Sequence, residues 1–274
     1  MALNSDKPII WAAAAVVVAG AIALYLYAHR PKVQVTPPAS APEVVASAPA
    51  AMPPVASAPV IQHPVTEIGA ADSAPLPALN ESDKPFEAAL TSVPGAQALA
   101  KLLVADNLIR DIVVTVDNLS KKKVAVEQRP IKVTSGLFMV LGTGDQLTIN
   151  PENYARYRPF MEVVKSVDTQ KLVQLYFHFY PLFQSAFDDL GYQNAYFNDH
   201  AIAQIDHLLA TPDVTGPIAL VQPNVMYRYA DPALEALSPG QKTLIRMGPE
   251  NEALIKTRLR ELKAQLLAQP RQHS

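Results

Sequence analysis

The stretch "LIRDIVVTVDNL", residues 108–119, decides between an all-helical and a mixed reading of this chain. Its run Ile112-Val113-Val114-Thr115-Val116 is β-branched throughout, and that composition favours a strand. Its spacing favours a helix. Apolar residues at 108, 109, 112, 113, 116 and 119 recur with the helical period, and the segment is longer than most strands. Periodicity and length outweigh propensity, so a helix is expected, closing toward Lys121, Lys122 and Lys123.

Working outward, the helical reading extends over most of the chain after Asn80. Asn150-Pro151, Asp231-Pro232 and Ser238-Pro239 each place a capping side chain before a proline suited to the first helical position. Ser238 and Gln241 have the spacing of a capping box. Asp168 is expected to cap a long helix, 169–190, ended by Gly191. That helix is apolar nearly all round, which places it at the centre of a domain. Pro181 inside it should kink it or split it after Tyr180. Twelve of the 19 aromatics fall between Tyr154 and Phe197, and their helical spacing reads as core rather than as a stacking platform for ligands. Gly248-Pro249 separates two helices. The last, about 250–268, carries Leu254, Arg258, Glu261 and Gln265 along one face, the mixture of a solvated surface. Residues 137–149 read as a hairpin around Gly142-Thr143-Gly144-Asp145. Residues 217–231 form two short runs that pair only if Pro223 takes an edge or bulge.

The N-terminal part is different. After a short tail, 1–8, residues Ile9 to Ala28 run for 20 positions without a charge. A helix of that length spans roughly 30 Å, the hydrocarbon thickness of a bilayer. Trp11, Tyr25 and Tyr27 fit the aromatic belts at its ends. The run is longer than a signal-peptide core, so an uncleaved signal-anchor is expected. Residues 29–79 follow as a Pro/Ala-rich linker. "ASAP" recurs at 39–42, 46–49 and 56–59, and eleven of the 25 prolines lie between 31 and 79. Such a composition cannot build a core and reads as a disordered tether, at most roughly 150 Å when extended. The expected organisation is therefore a transmembrane helix at 9–28, a linker at 29–79, a compact multi-helix domain at 80–268 with a small hairpin or sheet, and a tail at 269–274. The fold class is mainly α.

Composition narrows function. With no Cys there are no disulfides, thiolate metal sites or cysteine nucleophiles. A net charge of -2 offers no global field for nucleic acid. Walker, G-x-S-x-G and G-x-G-x-x-G patterns are absent. Ser120-Lys121-Lys122-Lys123 matches S-x-x-K without its companion motifs. Lys121 to Lys123 with Arg129 and Lys132 make a local basic patch, read as solvated surface.

The stretch 196–209 contains two Asp-His pairs, Asp199-His200 and Asp206-His207. On a helix these pairs lie two turns apart, about 10.5 Å along the axis, whereas zinc ligands must converge within about 2.0–2.2 Å of one ion. The preferred reading is structural. Asn198 or Asp199 caps the helix, Asp206 borders the apolar stripe and seeks a cationic partner, and the two histidines point away from the stripe. His178 is read as a core histidine. These five residues, Asp199, His200, Asp206, His207 and His178, remain the candidates for a metal or acid–base site, with no metal or cofactor expected.

Several strings together resemble a known family: "LIRDIVVTVDNL", "NYARYRPF" (153–160), "YPLFQSAFDDLGY" (180–192), "YFNDHAIAQIDHLLATP" (196–212) and "YRYADPALEALSPGQKTLIRMGPEN" (227–251). They are similar to the bacterial family catalogued as domain of unknown function 3014, over about 80–265. The resemblance implies the same layout of membrane helix, Pro-rich tether and terminal domain, and it brings no activity or ligand. The family pattern continues after Phe197-Asn198-Asp199 with Arg where this chain has His200, which argues against His200 as a required ligand. The leading expectation is a bacterial inner-membrane protein, anchored in the lipid bilayer through 9–28. Its periplasmic domain would bind or scaffold an envelope protein or cell-wall partner. The alternative is a tethered cell-wall hydrolase or metalloenzyme using the Asp-His pairs.

Overall fold

The computed structural model describes residues 60–65, 75–121, 128, 130–132, 136–192 and 194–268. The expected membrane helix at 9–28 lies outside these residues, as do most of the expected linker and the tail at 269–274. Among the described residues, no helix is long and apolar enough to cross a membrane.

Eight α-helices carry the described fold. They are α1 (Asp83–Ser92), α2 (Leu108–Asn118), α3 (Arg158–Ser166), α4 (Thr169–Asp188), α5 (Phe197–Leu209), α6 (Pro232–Ala236), α7 (Pro239–Met247) and α8 (Pro249–Leu267). The β-branched stretch is helical, as its period requires. Burial extends beyond the apolar stripe of α2 to Asp111, Thr115 and Asp117. The backbone of α2 is capped from outside: the Asp83 carboxylate of α1 accepts from Asn107 N at 2.8 Å and Leu108 N at 2.7 Å. Asn150, Asp168, Asp231 and Ser238 all accept from the backbone N–H groups expected of them, and Ser238 with Gln241 completes a capping box.

The centre of the fold is α4, packed by α1, α2, α5 and α8. Phe177, Phe179, Tyr180, Phe183 and Phe187 are buried, and Phe183 stacks on Phe197 of α5 at 5.9 Å. Each such side chain contributes about 1.5–3 kcal/mol through area removed from water. The expected break at Pro181 does not occur, and α4 runs through it. Pro181 sits on the exposed side of the helix, where its ring displaces no core residue.

Along the supposed solvated face of α8, Arg258 is buried and pairs with Glu261 at 2.7 Å. Helix α8 packs on α3, α4, α5 and α7, so charged residues on more than one of its faces are enclosed. His178 is exposed, not core, and meets the ring of Phe179 edge-on at 4.9 Å.

Two antiparallel hairpins complete the described fold. In one, β1 (Val140–Leu141) pairs with β2 (Thr148–Ile149); in the other, β3 (Leu220–Val221) pairs with β4 (Arg228–Tyr229). A bridge between Thr148 and Ala219 joins them. Pro223 lies in the β3–β4 connection, so no ladder bond is lost to it. Ile149, Ile218, Leu220, Tyr229 and Ile245 form a second small core there.

Candidate functional site at the start of α5

Helix α5 begins at Phe197, and neither Asn198 nor Asp199 caps it. The cap comes from α4. Gln184 Oε1 accepts from Phe197 N at 2.9 Å and from the Tyr180 hydroxyl at 2.8 Å. Its Nε2 donates to Ala195 O and to Asp188 Oδ1. Asn198 N donates to the Tyr180 hydroxyl at 3.4 Å. Burial pushes the Tyr180 and Tyr176 phenols upward, so both remain neutral. With the helix end satisfied by its neighbour, the side chains of Asn198 and Asp199 are released for another task.

That task is to hold residues 62–65, which fall within the expected linker. Asp199 Oδ2 accepts from Gln62 N at 2.9 Å, and Oδ1 accepts from His63 N at 2.8 Å. His63 Nδ1 lies 2.9 Å from the same Oδ1. Asn198 Nδ2 donates to His63 O at 2.9 Å, and Val65 N donates to the Tyr196 hydroxyl at 2.6 Å. Asn198 is 1% exposed. The Tyr176 hydroxyl donates to its Oδ1, which turns the amide so that Nδ2 faces His63. Val65 packs against the main core.

Beside this contact stands a cluster of titratable groups from three elements. The buried Asp117 carboxylate on α2 pairs with Lys121 and accepts from the Tyr192 hydroxyl at 2.8 Å. Lys121 Nζ also donates to the Tyr192 hydroxyl at 2.9 Å. His200 Nε2 stands 3.4 Å from Asp117 Oδ1. The Tyr192 ring stacks on Phe187 at 4.5 Å, and His200 lies against both rings. His200 therefore points into the α2–α4 side of α5, not away from the packed faces as expected. Burial by itself would raise the Asp117 carboxyl. The His200 ring 3.4 Å away and the hydrogen bonds from Lys121 and Tyr192 outweigh it and bring the pKa down to about 2.

A folded pKa below the unfolded value of 3.8 stabilises the fold above that value, and the gain disappears as pH falls through about 2. Asp117→Asn should cost about 2 kcal/mol at pH 7, and the gap to the parent should narrow by pH 3. Urea unfolding at the two pH values reads this directly.

The remaining candidates have separate partners. Asp206 is paired, as its border position predicts, with Lys263 of α8 at 2.5 and 2.7 Å. His207 Nε2 lies 2.8 Å from Ser238 Oγ, and burial lowers its pKa, which keeps the imidazole neutral. Asp199 holds 62–65, His200 meets Asp117, and His178 is exposed on α4. Among the described residues, no three His, Asp or Glu side chains are placed to share a metal ion. Of the basic patch, Lys122, Lys123 and Arg129 lie outside the described residues. Lys121 belongs to the Asp117 cluster, and Lys132 donates to Lys101 O at 3.0 Å.

Sequence reading missed Asp117, Tyr192, Gln184 and His63. The i,i+4 spacing of Asp117 and Lys121 was a usable signal. His63 had none, since 136 positions separate it from Asp199. Searches of the curated proteins and of the solved structures found no significant match. A family model described as "Protein of unknown function (DUF3014)" matches residues 108–263, more than half of the chain and the span from α2 into α8, and the chain belongs to that family.

Proposed function

We propose that this is a single-pass bacterial envelope protein, anchored in the inner membrane through 9–28, whose helical domain binds or scaffolds periplasmic partners. The observation that carries the binding reading is the start of α5, where Asp199, Asn198 and Tyr196 hold a linear segment through its backbone groups. The uncharged 20-residue run and the Pro/Ala-rich stretch support the anchor and the tether. A hydrolase or metalloenzyme would need Asp199, His200, Asp206 and His207 to converge, and each is engaged by a different partner.

A reporter that is active only outside the cytoplasm, fused after Ser274, tests the compartment. Activity is expected. A silent fusion, with the reciprocal cytoplasmic reporter active, places the domain on the other side and removes the periplasmic reading. In-cell crosslinking of the anchored chain should then trap envelope components.

A further inference from the structure

We infer that the start of α5 is a recognition site for a linear peptide of the pattern X-His-Pro-apolar. In this chain Gln62–Val65 fills it in cis, and a partner segment of the same chemistry binds by displacing that occupant. The inference rests on the binding-module reading and specifies its ligand.

Every backbone N–H of the segment has an acceptor on the domain. Gln62, His63 and Val65 each have an N–H, and each N–H has an acceptor: Asp199 Oδ2, Asp199 Oδ1 and the Tyr196 hydroxyl. Residue 64 is proline, which has no N–H to satisfy. Proline also biases the preceding His63 away from helical backbone. A carbonyl bond, His63 O to Asn198 Nδ2, is fixed by a side chain whose orientation Tyr176 sets from within the core. His63 adds side-chain selectivity through Nδ1 on Asp199, and Val65 adds an apolar contact.

Gln184 and Tyr180 take over the capping of α5, so Asn198 and Asp199 have no local backbone duty. Nine residues, 66–74, join the occupant to the domain. A connection that short gives an effective concentration of about millimolar order, so an external peptide meets a strong internal competitor.

The test uses the full chain in detergent micelles and a fluorescent peptide copying residues 60–67. In the first arm, Gln62→Gly, His63→Ala, Pro64→Gly and Val65→Ala together vacate the groove. The peptide should bind this vacated chain at least tenfold more tightly than the parent, and adding Asp199→Ala should remove at least tenfold of that affinity. In the second arm, amide exchange at Gln62 and His63 in the parent should accelerate at least tenfold on Asp199→Ala, with α2 amides unchanged as the control for folding. Exchange at Gln62 and His63 that ignores Asp199 overturns the proposal. So does a vacated chain that binds no peptide, or binds it regardless of Asp199. Either failure leaves the anchor and compartment untouched, since the topology reporter decides those separately, and crosslinking that still traps envelope components would place their binding elsewhere on the domain.

Discussion

Gly95→Ala should be the most damaging single methyl that can be added to this fold, costing more than about 3 kcal/mol and lowering Tm by about 10 °C. Gly95 has φ +82°, where an L side chain is already disfavoured. A Cβ there would also lie 1.8 Å from Ser166 O and 2.2 Å from Ser166 C, and backbone cannot step aside as a side-chain tip can. The turn around Gly95 is stitched to the α3–α4 junction: Asp168 N donates to Pro94 O at 3.0 Å, and Ser166 Oγ donates to Gly95 O at 3.0 Å. Moving it disturbs the Asp168 cap of the central helix and the buried Val93, Ala96 and Val167 around it. Gly191 is the control. It too has positive φ, +93°, but nothing lies within 4 Å of its added Cβ. Gly191→Ala should therefore cost only about 1 kcal/mol. Thermal unfolding of the two variants separates crowding from backbone preference, and equal losses would refute the steric account.

Lys256→Met should cost about 3–5 kcal/mol, because it strands a buried charge. The Lys256 ammonium reaches Glu252 at 2.8 Å, Thr211 O at 2.6 Å and Asp213 at 2.6 Å. It thereby ties α8 to the segment leaving α5. The side chains of Lys256 and Glu252 are only 5% and 4% exposed, so water cannot replace the lost partner. Burial already raises the Glu252 carboxyl above its ordinary value, with Lys256 pulling the other way. Without Lys256 that opposing pull disappears. A folded pKa above the unfolded one means that the folded state binds more protons, so the variant's deficit should shrink as pH falls through that window. The double change Glu252→Gln with Lys256→Met should recover at least half of the loss. Urea unfolding at pH 7 and pH 5 measures both effects, and a pH-independent deficit would show that packing, not charge, is responsible.

Much of the helical frame was legible because its signals are local. Helix α2 follows from six apolar positions in register, and α6, α7 and α8 follow from a cap or glycine followed by proline. The hairpins follow from turn residues between short apolar runs. The site was not legible, because its decisive bonds join residues far apart in the chain. Asn198 and Asp199 look like caps until Gln184, held in α4, supplies the cap instead. Arg258 and Lys256 look solvated because charge predicts exposure on average, and only the enclosure of α8 by four helices reverses that. The Asp-His repeat is regular, but its seven-residue spacing sets the pairs two helical turns apart and favours separate structural roles. Four different partners, His63, Asp117, Lys263 and Ser238, account for it.

The docking of 62–65 also has a mechanical meaning. Along the chain, Gln62–Val65 comes before the first residues of the folded body, and the nine residues 66–74 lie between. Tension applied from the N-terminal side therefore loads the bonds to Asp199, Asn198 and Tyr196 before it reaches α1.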